Sequence, residues 1–371
     1  MTRRDFSITL GSMLPADPPR RRRGLLAWSA STLPIAPLLV VGIALGPHGL
    51  NVLSTAALPA LDPAVAVALA ALGILLGLEI RAGRPREAAA TLGLGLAPAL
   101  LTGAAVGAGL HGVARVNALV ALPVWLLPLV GVCAASSLAL PGRSASRPRT
   151  VRSIAEAEVV WSIVVGATLL AVGDGSNILR SAGLLVGSIG VAIVLGGAGW
   201  LLVRHTASTT EKRVFVLAAL LLVGGAADLV KTSPLLAGLT AGLLWQRLGG
   251  PSRDVLADET RYAQHPFVVL VLVMAGVRTE VTLVTVGLAC AYASLRTLAR
   301  MVTTWLPIGE GALATTRLVT PGVFGIAFAL GIVRALGTES SGLSTALSLV
   351  VLGTLIADVV GHLVQPEEEA S

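Results

Sequence analysis

The sequence predicts an all-α polytopic membrane protein of about twelve transmembrane helices. Hydrophobic residues make up 54% of the 371 residues and charged residues only 13%, with a mean hydropathy of +0.84. A soluble domain of this length could not bury so much apolar surface, so the bilayer must act as its solvent. The apolar runs are continuous over about 17 to 25 residues, which suits crossing helices, whereas barrel strands are shorter and alternate.

Twelve apolar runs follow one another along the chain. We place the spans near residues 25–46, 63–80, 88–111, 117–140, 153–172, 178–203, 213–230, 233–246, 264–277, 282–306, 312–334 and 342–364. The predicted transmembrane domain therefore covers residues 25–365. We expect short tails on either side, at 1–24, which has no apolar segment of signal-peptide type, and at 366–371.

The basic residues predict the orientation of these spans. With the N-terminus inside the cell, nineteen of the 27 Lys and Arg fall in inner loops and the N-terminal tail, and five fall outside. A missed or invented span would place later loops on the wrong side. We therefore expect a multi-pass protein of the cell (inner) membrane with both termini in the cytoplasm. The formal charge of +7 thus reflects topology, and we expect no nucleic-acid partner.

Proline positions indicate broken helices and an internal repeat. One proline-interrupted segment, Leu33-Pro-Ile-Ala-Pro-Leu-Leu-Val-Val-Gly, resembles a second, Ser233-Pro-Leu-Leu-Ala-Gly-Leu-Thr-Ala-Gly. The second copy comes seven spans after the first, so the two copies cross the membrane in opposite directions. Inverted repeats with discontinuous helices are typical of secondary transporters, whose substrate site lies between the repeats.

Six motifs in the same order resemble those of one family. They are Leu38-Leu-Val-Val-Gly-Ile-Ala-Leu-Gly-Pro-His-Gly-Leu, Leu72-Gly-Ile-Leu-Leu-Gly-Leu-Glu-Ile, Ser233-Pro-Leu-Leu-Ala-Gly-Leu-Thr-Ala-Gly, Phe267 to Val277, Arg296-Thr-Leu-Ala-Arg300 and Thr320-Pro-Gly-Val-Phe-Gly. Together they resemble the sodium/hydrogen exchanger superfamily, in particular its monovalent cation:proton antiporter-2 branch, over residues 30 to 364. The resemblance implies the sodium/proton antiporter fold, with two broken helices that cross, and a homodimer.

The predicted ion site departs from the family pattern. The family carries an Asp preceded by Asn, Asp or Gln on its fifth core helix, and Trp161 and Ser162 stand there instead. A serine neither titrates near neutral pH nor balances a cation. Glu158 lies one helical turn before Ser162 on the same face, and is our candidate proton carrier. The alternative is that Glu158 and Glu156 pair with Arg152 at the cytoplasmic end.

Two arginines stand where the resemblance places an intramembrane cation. Arg300 occupies the family's Lys or Arg position, and Arg296 lies one turn earlier. A charge inside the membrane is costly, so Arg300 should pair with a carboxylate or with broken-helix carbonyls. The alternative is that both side chains extend to the inner surface as topological anchors.

The crossing helices are expected at the fourth and eleventh spans. The candidates to supply carbonyl and hydroxyl groups to a cation are Ser136, Ser137, Thr320, Pro321 and Gly322. Ordinary interhelical hydrogen bonding is the alternative for the hydroxyl groups.

Three other carboxylates lie at or near the ends of spans. Asp358 lies deeper than the others and is a minor alternative for the ion site. We expect Asp228 to pair with Lys231, and Glu79 to pair with Arg81.

The remaining residues suggest neither a metal nor a cofactor. The two cysteines lie in apolar segments, and the five histidines are scattered over loops and helix ends. No segment resembles a phosphate-binding glycine loop or a catalytic triad, so we do not expect an enzyme.

The sequence therefore predicts a transporter that exchanges Na⁺ or K⁺ for protons by alternating access. One alternative is a pseudo-transporter or sensor subunit that has lost ion exchange. Another is a carrier of anions or organic acids on the same fold, because Arg300 without a fixed acid suits an anion. The orientation of Glu158, toward the crossing helices or toward cytoplasmic water, distinguishes these hypotheses.

Overall fold

The computed structural model describes residues 35–80, 85–116, 123–137, 149–173, 178–206, 208–304, 322–337 and 341–364. These ranges contain thirteen α-helices and no strand. The helices are α1 (Ile35–Leu45), α2 (Leu58–Glu79), α3 (Pro85–Val116), α4 (Leu126–Ala135), α5 (Arg149–Gly173), α6 (Ile178–His205), α7 (Thr209–Leu229), α8 (Pro234–Leu248), α9 (Gly250–Tyr262), α10 (Gln264–Val277), α11 (Leu283–Thr304), α12 (Val323–Leu336) and α13 (Ser341–Val364). The predicted tails at 1–24 and 366–371 lie outside the described residues, as do Thr320 and Pro321.

A helix lies at each of the twelve predicted spans. Among the described helices, five are both long and apolar enough to cross a membrane: α2, α3, α5, α6 and α13. The pair α9 and α10, bent by 45°, could form a sixth span, and α1, α4 and α12 are shorter apolar helices.

Helix α9 was not predicted, because the segment from residue 247 to 263 was assigned to an inner loop. Its buried residues, Ser252, Leu256, Ala257 and Thr260, follow helical spacing and form one face. Gly249 separates it from α8 and Gly250 is its first residue, with φ angles of 61° and 75° that favour glycine. The charged residues on its other face interrupt the hydrophobic pattern, so this segment is not an apolar run.

The helices pack as two groups whose internal contacts repeat. The core group contains α3, α4, α5, α11, α12 and α13, and the scaffold group contains α1, α2 and α6 to α10. Within the core group, α3 packs on α5 as α11 packs on α13. Within the scaffold group, α1 packs on α10 as α2 packs on α8. These equivalent contacts agree with the predicted repeat of the proline segments at α1 and α8, and they place α2 to α5 in correspondence with α10 to α13.

Glycines bring the scaffold helices into backbone contact. A Cβ atom on Gly238 would clash with the backbone of Ala70, and one on Gly77 would lie 2.6 Å from the carbonyl oxygen of Leu239. Gly276 makes the equivalent close approach to Leu39, between α10 and α1. Small residues at these positions allow membrane helices to pack at short distance.

The end of one helix meets the start of another inside the core group. Helix α4 ends at Ala135, and the chain continues in extended backbone at Ser136, with φ −75° and ψ 126°. Helix α12 starts after Gly322, which is also extended, at φ −93° and ψ 156°. The Gly322 backbone N–H donates a hydrogen bond of 3.4 Å to the Ser136 carbonyl oxygen. The predicted meeting of two broken helices is therefore confirmed.

Candidate ion site at the helix crossing

Glu158 is completely buried and lies at the crossing of the broken helices. Its helix, α5, packs on α4 and α12, and the side chain has 0% exposure. The Arg300 Nη1 donates to Glu158 Oε1 at 2.6 Å, and the Ser137 hydroxyl donates to Oε2. The carboxylate therefore faces the end of α4 rather than cytoplasmic water.

The two arginines of α11 donate to the last carbonyls of α4. Arg296 donates from Nε to the Ala134 oxygen at 2.9 Å and from Nη2 to the Ser136 oxygen at 3.1 Å. Arg300 donates from Nη2 to the intervening Ala135 oxygen. Helix C-termini leave such carbonyls unpaired and carry partial negative charge, which a guanidinium compensates. Both arginines are 1% exposed, so neither reaches the membrane surface.

A second carboxylate, that of Asp358 on α13, interacts with an arginine of the site. Arg296 interacts electrostatically with Arg300, Tyr292, Glu158 and Asp358. Asp358 is partly buried on α13, and so places a second carboxylate near the arginines. The crossing thus combines the two guanidinium groups with one fully buried acid and one partly buried acid.

Trp161 and Ser162, which the sequence resemblance predicts at the acidic positions, make other contacts. Trp161 donates from its indole nitrogen to the Leu92 carbonyl oxygen at 2.8 Å, which joins α5 to α3. The Ser162 hydroxyl donates to the backbone oxygen of Glu158, one turn earlier, at 2.9 Å. These are structural hydrogen bonds, and the one made by Ser162 stays within its own helix.

The two acids of α5, Glu156 and Glu158, have different arginine partners. Glu156 accepts a hydrogen bond of 2.8 Å from Arg152 Nε, as the alternative hypothesis expected, but Glu158 does not share this contact. Arg152 also lies 3.7 Å from Glu79. Arg81 lies outside the described residues, so the pair of Glu79 with Arg81 stays a prediction, and the structure adds Arg152 as a partner of Glu79.

Asp228 pairs with Arg334 of α12, not with Lys231 as predicted. More than one hundred residues separate these partners, so neighbouring sequence gave no signal for this pair. The same reason explains why the pair between Arg278 and Asp62 was not predicted.

An apolar pocket of about 420 Å³ lies between α3, α4 and α5. Gly103, Gly107, Leu127 and Val165 are among its lining residues, and His111 is the one ionisable side chain in that lining. A monovalent cation requires oxygen ligands or a carboxylate, which this lining does not supply. The crossing at Glu158 is therefore the better candidate for ion binding.

Comparison with known proteins identifies the fold. No family model matches the sequence, and no curated protein matches it. Among solved structures, the chain is similar to the sodium proton antiporter MjNhaP1 from Methanocaldococcus jannaschii at pH 8, with a TM-score of 0.65 and 15% identity. The match covers 91% of this chain and 94% of that chain. The chain has the sodium/proton antiporter fold.

This result confirms the fold that the six motifs indicated. In this antiporter fold, α4 and α12 are the broken helices that meet at Ser136 and Gly322. The antiporter fold is therefore present in a chain in which the motif resemblance predicts Trp161 and Ser162 in place of the acidic pair. The carboxylate that the chain offers at the crossing is that of Glu158.

Proposed function

We propose that this chain is a secondary transporter that exchanges Na⁺ or K⁺ for protons by alternating access, with Glu158 as the ion-carrying carboxylate. The observation that carries the proposal is the burial of Glu158 at the crossing of two broken helices. Transporters commonly bind their ions at such breaks, near the bilayer midplane. The similarity of fold to a sodium proton antiporter supports the same reading.

The coupling follows from the cost of an unpaired charge in this place. A buried carboxylate must be neutralised by a proton, a cation or Arg300, because the desolvation penalty of a bare charge is several kcal/mol. A proton on Glu158 removes its attraction to Arg300, and a cation competes with Arg300 for the same oxygens. Each occupant therefore excludes the others, and this competition couples the flow of cations to the flow of protons.

Ser137 and the arginines have supporting roles in this proposal. The Ser137 hydroxyl donates to the ionised carboxylate, and its oxygen can coordinate a cation once the hydroxyl rotates. When Arg300 leaves Glu158, its second bond to the Ala135 carbonyl holds the guanidinium at the end of α4. We place Arg296 as a positioning residue, since it holds the neighbouring carbonyls.

Location and assembly complete the proposal. The distribution of Lys and Arg supports a cell-membrane protein with both termini in the cytoplasm. The sequence resemblance supports a homodimer, with protons and monovalent cations as the transported partners.

The test is proton flux in proteoliposomes that enclose a pH-sensitive dye, with Na⁺, K⁺ or Li⁺ added outside. We expect a cation-driven change in internal pH that Glu158→Gln abolishes. Glu259→Gln is the matched control, because Glu259 pairs with the exposed Arg213 at the surface. No response of the wild type to any of the three cations, with insertion confirmed, would exclude cation exchange.

A second candidate is a carrier of small anions. It is favoured by one observation: Arg296 and Arg300 are both buried at the crossing, and the carbonyls of α4 already accept hydrogen bonds from them. A proton on Glu158 would leave Arg300 free to bind a carboxylate or an inorganic anion. The same liposomes, given gradients of chloride, acetate or succinate in place of the cation, test this candidate. Absence of flux in both assays would favour the pseudo-transporter.

A further inference from the structure

Two ion pairs connect the scaffold group to the core group. Asp228 of α7 pairs with Arg334 of α12, and Glu79 of α2 lies near Arg152 of α5. Arg334 also interacts electrostatically with Asp62, at the other end of α2 from Glu79. Asp62 and Glu79 are seventeen residues apart on one helix, or about 26 Å, close to the thickness of the hydrocarbon core. The two connections therefore lie near opposite membrane surfaces.

The two connections differ in how tightly they are made. Asp228 and Arg334 are in direct hydrogen-bonded contact, and the Arg334 side chain is 7% exposed. Arg152 is hydrogen-bonded at 2.8 Å to Glu156 of its own helix, and its 3.7 Å separation from Glu79 is too long for a hydrogen bond. The ion pair at one end of the bundle is therefore hydrogen-bonded, and the ion pair at the other end is a longer contact without a hydrogen bond.

We propose that these pairs are alternating latches between the two helix groups. In the conformation described here, the Asp228–Arg334 latch is closed by a hydrogen bond, and the Glu79–Arg152 latch is only loosely paired, at 3.7 Å. In the opposite conformation, Arg152 leaves Glu156 and binds Glu79, while Arg334 and Asp228 separate. This inference rests on the proposed function, because alternating access requires one group to rock against the other.

The burial of each pair fits this division of roles. Asp228 and Arg152 are 39% and 29% exposed in their side chains, so water can solvate each of them when it leaves its partner, whereas Arg334 and Glu79 are 7% and 5% exposed. The Glu158–Arg300 pair, in contrast, is fully buried and lies within the core group. The core can therefore move as one body with its ion site intact while the peripheral pairs exchange.

Glu156 sets the balance between the latches in this scheme. It holds Arg152 on α5 and so competes with Glu79 for the same guanidinium. Removal of its charge frees Arg152 for Glu79 and favours the opposite conformation. The Arg213–Glu259 pair supplies an internal comparison, because both residues belong to the scaffold group and need not separate.

The experiment measures distances between spin labels in the full-length protein in nanodiscs. One label pair replaces Val172 on α5 and Leu229 on α7, and the other replaces Met301 on α11 and Tyr262 on α9. All four side chains are exposed, and each pair spans the two helix groups. Cys290, which is exposed, is replaced by alanine in the background, whereas Cys133 is buried.

The latch proposal predicts opposite shifts of the two distances. Arg334→Gln should lengthen the 172–229 distance and shorten the 301–262 distance, and Glu156→Gln should shift both in the same directions. Arg213→Gln should leave both distances unchanged. Asp228→Arg combined with Arg334→Asp should restore the parent distances, which a general loss of packing would not allow.

Two results would overturn the proposal: unchanged distances in both Arg334→Gln and Glu156→Gln, or a lengthening at both ends. Because Glu156→Gln acts at the second latch, it provides an independent test if Arg334→Gln does not fold. Flux measurements separate this inference from the proposed function. Alternating distances without cation or proton flux would support the latches and reject the antiporter, whereas flux with fixed distances would do the reverse.

Discussion

Arg300 Nη1 and Glu158 Oε1 lie 2.6 Å apart, although 142 residues separate them in the chain. Their contact joins α11 to α5 beside the end of α4, and both side chains are buried. Because neither helix can shift without breaking a buried ion pair, this contact defines the position of the candidate site.

Loss of one partner from this pair should be costly. We expect Arg300→Gln to lower the free energy of unfolding by about 3–5 kcal/mol, since it leaves Glu158 buried without its counter-charge. Arg300→Lys keeps the charge and should recover part of the loss. Thermal unfolding in detergent, followed by tryptophan fluorescence, measures both. Equal stability of Arg300→Gln and wild type would show that Glu158 is not held by this pair.

Two buried serines near Glu158 should respond differently to substitution. Ser137→Ala removes a hydrogen bond to the carboxylate, worth about 1.5–3 kcal/mol, and should also slow cation-driven proton flux. Ser162→Ala removes only a bond to its own helix and should change stability by about 0.5 kcal/mol or less. Unfolding and flux assays on the two variants, side by side, test the distinction. Similar effects in both would argue against a role for the Ser137 hydroxyl.

Arg296 should tolerate lysine poorly. Its guanidinium reaches the carbonyls of both Ala134 and Ser136, and the single ammonium group of lysine cannot reproduce this fork. We expect Arg296→Lys to destabilise the protein by about 1–3 kcal/mol, the cost of leaving a buried acceptor unsatisfied. Thermal unfolding at matched detergent concentration provides the measurement. A variant as stable as wild type would show that charge alone suffices at the end of α4.

The glycines between α2 and α8 should also be sensitive. Gly238→Ala would place a methyl group against the backbone of Ala70, and we expect a loss of about 1–3 kcal/mol from overpacking. Gly187→Ala on α6 is the matched control, because nothing lies within 4 Å of its added Cβ. A loss of similar size in both variants would point to helix propensity or lipid effects rather than to the α2–α8 contact. Unfolding temperatures of the two variants decide between these explanations.

Local patterns predicted most of the helices and the residues of the candidate site, but not the Asp228–Arg334 and Asp62–Arg278 ion pairs. Helical spacing placed Glu158 on the same helix face as Ser162, and the Arg296 to Arg300 motif predicted the two guanidinium groups of the site. The assignment of Asp228 to Lys231 was wrong because it favoured the nearest opposite charge, whereas folding brings Arg334 closer. Pairings between distant segments depend on how the helices pack, and a single sequence does not contain that information locally.

Helix α9 illustrates a different kind of error. Its pattern at Ser252, Leu256 and Thr260 was present in the sequence, but its charged residues placed it outside the apolar runs. Gly249 and Gly250, at its start, mark a helix boundary that could have been predicted from the conformational freedom of glycine.

The arginines that occupy the carbonyls of α4 also have a kinetic consequence for the proposed transport. A cation that reaches Glu158 meets a site already filled by a tethered competitor, whose local concentration is fixed by the fold and cannot be diluted. Capture of the cation therefore displaces Arg300. The apparent affinity for the cation is set by the difference between the free energy of its binding to Glu158 and that of the Arg300 contact which it replaces. Such a site binds its cargo weakly and returns it readily, because the arginine is always present to take the vacated place.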